Sequence, residues 1–370
     1  MTTLRRIVRV LGWGTVGLLV ALFLTAYAAP YLPPAHFWWA DLLAVGLPAL
    51  SVGIAGLSVA LCGWGGYRRR WGRVVLGGAL LVLLLVRFGP RLAAWGPAPT
   101  APDALRVMTF NVPAASGDAS SAALVGLIRR EAPDVLAVQE SRLRTGRTPT
   151  ADAQGLSASI RALLEPASGY RLPLRLPPAT VIQQPVLGRG VLDSMSVHPL
   201  PPNGETSARS RYTRTQFSWR GRTAVLYNVH LHSVGDARPW TLVPDEWTSP
   251  ERWRTFLRTY REGTLRRAQQ ARLLRRRIAR ERHPVLVVGD FNSTRHQWTY
   301  RHLARGLQSA VTRRLRAWGA TFPARRPLVQ IDHVLATPGW QITAARIPAD
   351  GAARVSDHRP VVVHLRWKGG

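Results

Sequence analysis

The chain has 370 residues, of which 50 are Lys or Arg and 20 are Asp or Glu, for a formal charge of +30 and a pI of about 11.8. This surplus excludes an ordinary near-neutral cytosolic domain and points to a polyanionic neighbour, nucleic acid or an anionic membrane surface, unless it reflects codon usage, since Lys368 is the sole lysine. A hydrophobic content of 46% excludes disorder, and a single cysteine, Cys62, excludes an internal disulfide or a cysteine zinc cluster.

Residues 1–100 hold one acidic residue, Asp41, and two long charge-free runs, Val10 to Ala29 and Leu42 to Tyr67. Each is long enough to cross a hydrocarbon core of about 30 Å. A third apolar run, Val74 to Val86, becomes a span if extended over 71–88, where Arg73 and Arg87 snorkel and Trp71 and Trp95 flank it. The alternative for that run is a buried or interfacial helix. Arg5, Arg6 and Arg9 precede the first run, Arg68, Arg69, Arg70 and Arg73 follow the second, and residues 30–40 carry no Lys or Arg. The positive-inside rule then predicts a cytoplasmic N-terminus and, after three spans, a C-terminal domain outside the cytoplasm; without the third span the domain is cytoplasmic. The first run also reads as a secretory signal, because Ala26-Tyr27-Ala28 resembles a cleavage site. The predicted organisation is a transmembrane region over 1–88 (spans about 10–29, 42–67 and 71–88), a tether over 89–104 with four prolines, and a domain over 105–370.

From residue 105 the pattern turns to short β-rich runs: 105–111, 134–140, 223–231, 284–292, 329–336 and 360–365. Helical patterns cover Ser120 to Arg130 and Glu251 to Arg282, so the domain is predicted to be α/β. Polar residues collect at the strand ends: Asn111, Glu140, His230, Asp290 with Asn292, Asp332, and Asp357-His358. Each taken singly reads as a turn residue, a solvated strand end or a core histidine. Together they mark one rim of a sheet, where α/β folds place catalytic groups.

The residue types constrain the chemistry. Glu140 and Asp357 are hard oxygen donors, which in a site lacking cysteine favour Mg²⁺ or Mn²⁺ over zinc. Such a cation polarises a phosphoryl oxygen and offsets leaving-group charge. Asp332 suits the second ring nitrogen of His358, and Asp290 suits the orientation or deprotonation of a water. Asn111, Asn292 and His230 can donate to non-bridging phosphate oxygens.

The segments TFNV (109–112), VQE (138–140), NVHL (228–231), GDFNS (289–293), IDHV (331–334) and SDHRPV (356–361) resemble, in order and spacing, the endonuclease/exonuclease/phosphatase superfamily with the deoxyribonuclease I-like fold. The resemblance implies a four-layered α/β sandwich of two packed mixed sheets and an Mg²⁺-dependent site. By motif position it implies Glu140 as main metal ligand with Asp357 and Asn111 beside it. Asp290 and Asn292 then position water and phosphate, Asp332 and His358 form a dyad, and His230 contacts the scissile phosphate or assists the leaving group. Whether His358 or Asp290 is the base stays open. His232 and His333 are expected to be structural, and residues 190–200 match only loosely, so Ser196 has no assigned role. Residues 234–262, with Trp240, Trp247 and Trp253, look like an insertion near the site: a surface loop, or a lid or membrane-touching element.

The superfamily covers nucleases, inositol-phosphate and phosphoinositide phosphatases and sphingomyelinase-like phospholipases, so fold does not select among them. Residues 251–282 hold twelve arginines against three glutamates, a helix suited to a phosphate backbone or to anionic headgroups, or simply a solvated face. The expectation is a nuclease-like phosphodiesterase, with nucleic acid favoured over phospholipid. A phospholipid-directed phosphodiesterase or phosphatase is the alternative. An inactive membrane-anchored binding protein is a third reading, opposed by the intact set of site residues.

Overall fold

A computed structural model describes residues 2–92, 103–113, 118–146, 156–190, 192–201, 211–235, 248–310 and 319–368. The N-terminal quarter is helical: α1 (Thr2–Ala28), α2 (Pro34–Val45), α3 (Leu47–Tyr67) and α4 (Trp71–Leu92). Three stretches, Arg6–Tyr31, Leu47–Tyr67 and Trp71–Gly89, are long and apolar enough to cross a membrane. The second starts later than the run from Leu42 suggested. Gly46 closes α2, Pro48 sits in the first turn of α3, and residues 42–45 belong to α2. Phe23, Leu47, Ile54 and Leu80 pack these helices on one another. A Cβ on Gly77 would lie 2.7 Å from the Ser58 carbonyl oxygen, so α4 meets α3 at backbone contact there.

After residues 93–102, which lie outside the described residues and include most of the expected tether, the β-rich part begins. It runs β1 (Leu105–Asn111), α5 (Asp118–Glu131), β2 (Val135–Gln139), β3 (Leu143–Arg144), α6 (Ala158–Leu164), β4 (Val181–Ile182), β5 (Val186–Gly188), β6 (Leu192–Pro199), β7 (Arg211–Trp219) and β8 (Arg222–His230). There follow α7 (Pro250–Ile278), β9 (Val285–Asp290), α8 (Trp298–Ala304), β10 (Gln308–Ser309), β11 (Asp332–Ala336), β12 (Trp340–Arg346) and β13 (Val361–Trp367). One sheet has the order β12-β13-β1-β2-β5 and the other β10-β11-β9-β8-β7-β6, with β3 and β4 as a separate pair.

Strands buried on both faces explain the near-continuous apolar runs. Alternate residues of β1 serve different layers, as the two-residue period requires. Val107 faces the second sheet with Val135, Val361 and Val363, meeting Leu226, Leu286, Val288 and Val334. Met108 and Phe110 face outward onto Leu124 and Leu127 of α5 and Leu163 of α6. On the far side Val225, Tyr227, Val285 and Val287 meet Ala271 and Leu274 of α7 and Leu303 of α8. The result is the four-layered α/β sandwich with two mixed sheets.

Residues 250–262 of the insertion-like stretch belong to α7, where a helix was expected from Glu251; it is a 29-residue helix capped by Ser249 Oγ, which accepts from Arg252 N, with Pro250 in its first turn. Trp253 stands edge-on to Phe256. Trp240 and Trp247 lie outside the described residues.

Candidate active site

Strand directions place the polar residues on one rim. β1 and β2 are parallel, as are β8 and β9, so Asn111, Glu140, His230 and Asp290 come from C-terminal ends. β11 and β13 run antiparallel to β9 and β1, so Asp332 and His358 reach the same rim from N-terminal ends. In the second sheet His230 pairs with Asp290, and Asp290 with Asp332, setting three functional side chains abreast. Gly289 permits this: its φ is +130°, and a Cβ there would lie 1.9 Å from the Val229 carbonyl oxygen. Glu140 (φ 56°) and Asn292 (φ 45°) hold left-handed conformations that cost on the order of 1 kcal/mol in a non-glycine residue and turn each side chain off its strand end.

Asp290, fully buried, is the hub. Its Oδ1 accepts from Asn292 N at 2.7 Å, and its Oδ2 accepts from Asn111 Nδ2 at 3.2 Å and Asn292 Nδ2 at 3.4 Å. Asn111 Nδ2 also donates to Glu140 Oε1 at 2.9 Å, tying the two carboxylates together across the sheets. His230 Nε2 lies 3.6 Å from both Glu140 Oε1 and Asp290 Oδ2, and is buried with no hydrogen-bond partner. His358 Nδ1 is 2.9 Å from Asp332 Oδ2, while its Nε2 points to Asp290 Oδ2 at 3.8 Å.

These contacts set the protonation states. Burial pushes the Asp290 carboxyl up, Asp332 adds to that, and His358 and His230 oppose it. Burial pulls His358 down, but the charge and hydrogen bond of Asp332, with Asp290 and Asp357 behind, outweigh it and push the imidazole up to about 10. The shift favours the protonated, imidazolium form of His358. Its Nδ1–H is held by Asp332, so Nε2–H faces the site.

One donor atom each from Glu140, His230 and Asp290 lie within 4.8 Å of one another, as do those of Asp290, Asp332 and His358. The second group holds the dyad's hydrogen bond, while Asp332 Oδ1 is buried with no partner. The first is the more open to a cation, because the Glu140 carboxylate is exposed whereas all three residues of the second are buried. Asn111 turns its amide nitrogen, not its oxygen, to the carboxylates. Asp357, expected as a ligand, is exposed beside Ser356 and outside both donor groups, and its charge bears on His358.

Two residues inside the quoted segments escaped the sequence reading. Gln139 Nε2 donates to Asn228 Oδ1 at 2.6 Å, and Asn228 Nδ2 donates to the Val138 carbonyl at 2.9 Å. Both side chains are fully buried and clamp the two sheets together next to the rim. A buried amide near the end of an otherwise apolar strand is the available signal. His333 points to the opposite face from Asp332, its Nε2 2.9 Å from the Ser293 carbonyl oxygen and its ring against Phe291, which fits a structural role.

A two-sheet sandwich with carboxylates, amides and imidazoles on one rim is the frame of a phosphoester hydrolase. Residues 108–358 match the sequence model of the Endonuclease/Exonuclease/phosphatase family, and the chain belongs to that family, whose members act on phosphoester bonds. Among solved structures, an endonuclease/exonuclease/phosphatase from Beutenbergia cavernae DSM 12333 is similar, with 22% identity, 72% of each chain covered and a TM-score of 0.50. A family protein from Bacteroides thetaiotaomicron has 15% identity over 72% of this chain and 98% of its own, with a TM-score of 0.50. At these identities the likeness shows the fold. A search of curated proteins finds no match.

Proposed function

We propose that this chain is a divalent-cation-dependent phosphodiesterase, anchored by spans near 10–29, 47–67 and 71–88, with residues 105–370 as its catalytic domain outside the cytoplasm and 89–104 as a tether. The observation that carries the reading is the single rim on which Glu140, His230, Asp290, Asp332 and His358 converge. Glu140, exposed on the open side of the rim, would be the main ligand of Mg²⁺ or Mn²⁺, leaving Asp290 and His230 for the water and the phosphate. When bound, that ion polarises a phosphoryl oxygen and offsets leaving-group charge.

The protein's own groups supply the rest. Asp290, fixed by Asn292 and Asn111, orients the attacking water and accepts its proton; the raised carboxyl lies nearer the working pH than an ordinary aspartate. His358 donates from Nε2 to a phosphate oxygen, where negative charge grows in the transition state, and Asp332 fixes its tautomer. His230 and Asn292 bind the same phosphate.

Nucleic acid is the favoured substrate. Exposed arginines run along α7 from Arg252, Arg254 and Arg258 to Arg276 and Arg277, over roughly 40 Å at 1.5 Å per residue. That reach exceeds a single headgroup and suits a phosphate backbone. A phospholipid phosphoester is the second reading, favoured by one observation: Val45, two residues before the Leu47–Tyr67 helix, lines the same small cavity as Asn292.

The test is a substrate panel on the full chain in nanodiscs: plasmid DNA, RNA, sphingomyelin, phosphoinositides and an aryl phosphodiester. Cleavage of DNA or RNA without lipid supports the first reading, lipid alone reverses the order, and no cleavage of any substrate with Mg²⁺ or Mn²⁺ present sinks the enzymatic assignment. Protease access to the domain in intact cells checks the orientation.

A further inference from the structure

Away from the catalytic rim, an open cleft of about 540 Å³ lies where the ends of α1 and α4 meet α8. Its volume falls in the range of small-molecule sites, about 300–1,000 Å³. Tyr31, Arg87, Arg295, Trp298, Arg301 and Arg305 line it, with one guanidinium group from α4 and three from the segment 295–305. Among the described residues no carboxylate lines it, and none of the catalytic-rim residues does. Like charges gathered without an acid repel one another and call for an anion.

The local contacts point the same way. Arg87 Nη2 lies 3.1 Å from His296 Nδ1, and Arg295 Nε lies 3.1 Å from His296 Nε2. A neutral imidazole has one acceptor nitrogen, so only one of these contacts is a hydrogen bond. Arg87 Nε is buried with no partner. Arg301 stacks on the Tyr31 ring, its Cζ 3.8 Å from the centroid, which holds its planar fork at the edge of the cleft. Burial, with Arg272, Arg275 and Arg305, holds neighbouring His302 below its ordinary range, as a cationic surrounding should.

We infer that this cleft binds a phosphate-bearing anion, the headgroup of an anionic phospholipid. Tyr31 closes the first apolar helix and Arg87 stands two residues before the end of the third, so both lie at the same end of the helical region, on the side of the catalytic domain. That depth is where headgroup phosphates reside when the helices span, and arginine forks match phosphate oxygens bidentately. A lipid seated there would bridge two spans and α8. This assignment rests on the reading of the helices as spans, and it is independent of the catalytic reading.

The test is thermal unfolding of the full chain in detergent with short-chain phosphatidylglycerol, short-chain phosphatidylcholine or inorganic phosphate added. Phosphatidylglycerol should raise the midpoint by several degrees, phosphatidylcholine much less, and the rise should vanish in Arg301→Ala/Arg305→Ala. Should that variant fail to accumulate, the size-matched Arg301→Gln/Arg305→Gln carries the same expectation. An equal rise with inorganic phosphate, lost in the same variants, supports the anion site with free phosphate as its source. A rise that survives in the variants, or none with either anion, overturns the proposal. Because no turnover is read, failure of the catalytic assignment leaves this outcome unaffected.

Discussion

Gln297 donates from Nε2 to Asp41 Oδ2 at 3.0 Å, joining the connection between the first two apolar helices to the loop that follows Asn292. The Trp298 backbone N–H adds a second bond to Asp41 Oδ1 at 2.9 Å, and Tyr260 of α7 donates to the Asp41 carbonyl. Gln297 Oε1 in turn accepts from Thr294 N at 2.7 Å. The one acidic residue of the N-terminal region is thus a buried link to the loop beside the active site.

Asp41 sets a pH dependence of stability. Burial raises its carboxyl from an ordinary 3.8 to about 6, against the opposing effects of Trp298, Arg267 and Gln297. The stability tied to the protonated form is full below 3.8 and is lost as the pH rises through 6. Relative to wild type, Asp41→Asn should gain stability from pH 4 to pH 7, on the order of 3 kcal/mol at most. Matched unfolding curves across that interval check it; parallel pH profiles for the two proteins would remove Asp41 as the source.

Activity should vanish in chelator and return with Mg²⁺ or Mn²⁺. Glu140→Ala should lower turnover by about 100-fold or more, since a bound ion contributes several kcal/mol of transition-state stabilisation. Full turnover in chelator would refute the cation assignment.

His358→Ala should cost about 10²–10⁴-fold in kcat with a smaller change in KM. Asp332→Asn keeps the side-chain shape but removes the charge that outweighs burial at His358, so the imidazole pKa should fall well below 10. Histidine titration by NMR in the metal-free protein reads this directly. An unchanged His358 titration would disprove the coupling.

Gly289→Ala should be among the most damaging single substitutions, in the range of about 4–5 kcal/mol, because a Cβ meets the Val229 carbonyl oxygen and φ is +130°. Thermal unfolding measures the loss; a variant within a degree of wild type would contradict the β8–β9 approach.

Much of this protein was legible in its residues. Apolar length marked the three helices, and doubly buried strands showed as continuous runs at 105–111, 284–292 and 360–365. β6, β7 and β12 were not recognised. They carry polar and apolar residues mixed, as in LDSMSVHP and RYTRTQFSW, so no continuous run marks them.

The residue types and order of the rim were determined by the sequence, since strand ends carry Asn, Glu, His and Asp in a pattern that periodicity and resemblance expose. What only the tertiary structure decided is who touches whom. Strand direction brought Asp332 and His358 from the starts of their strands to the ends of the others, while the fold left Asp357 at the exposed edge. It also turned Asp41 from a charge at the margin of an apolar run into a buried partner of Gln297, and gathered Arg87, Arg295, Arg301 and Arg305 into one cleft. Local patterning reports burial and period along the chain. Contacts between residues 256 positions apart depend on how layers pack, and no local pattern encodes that.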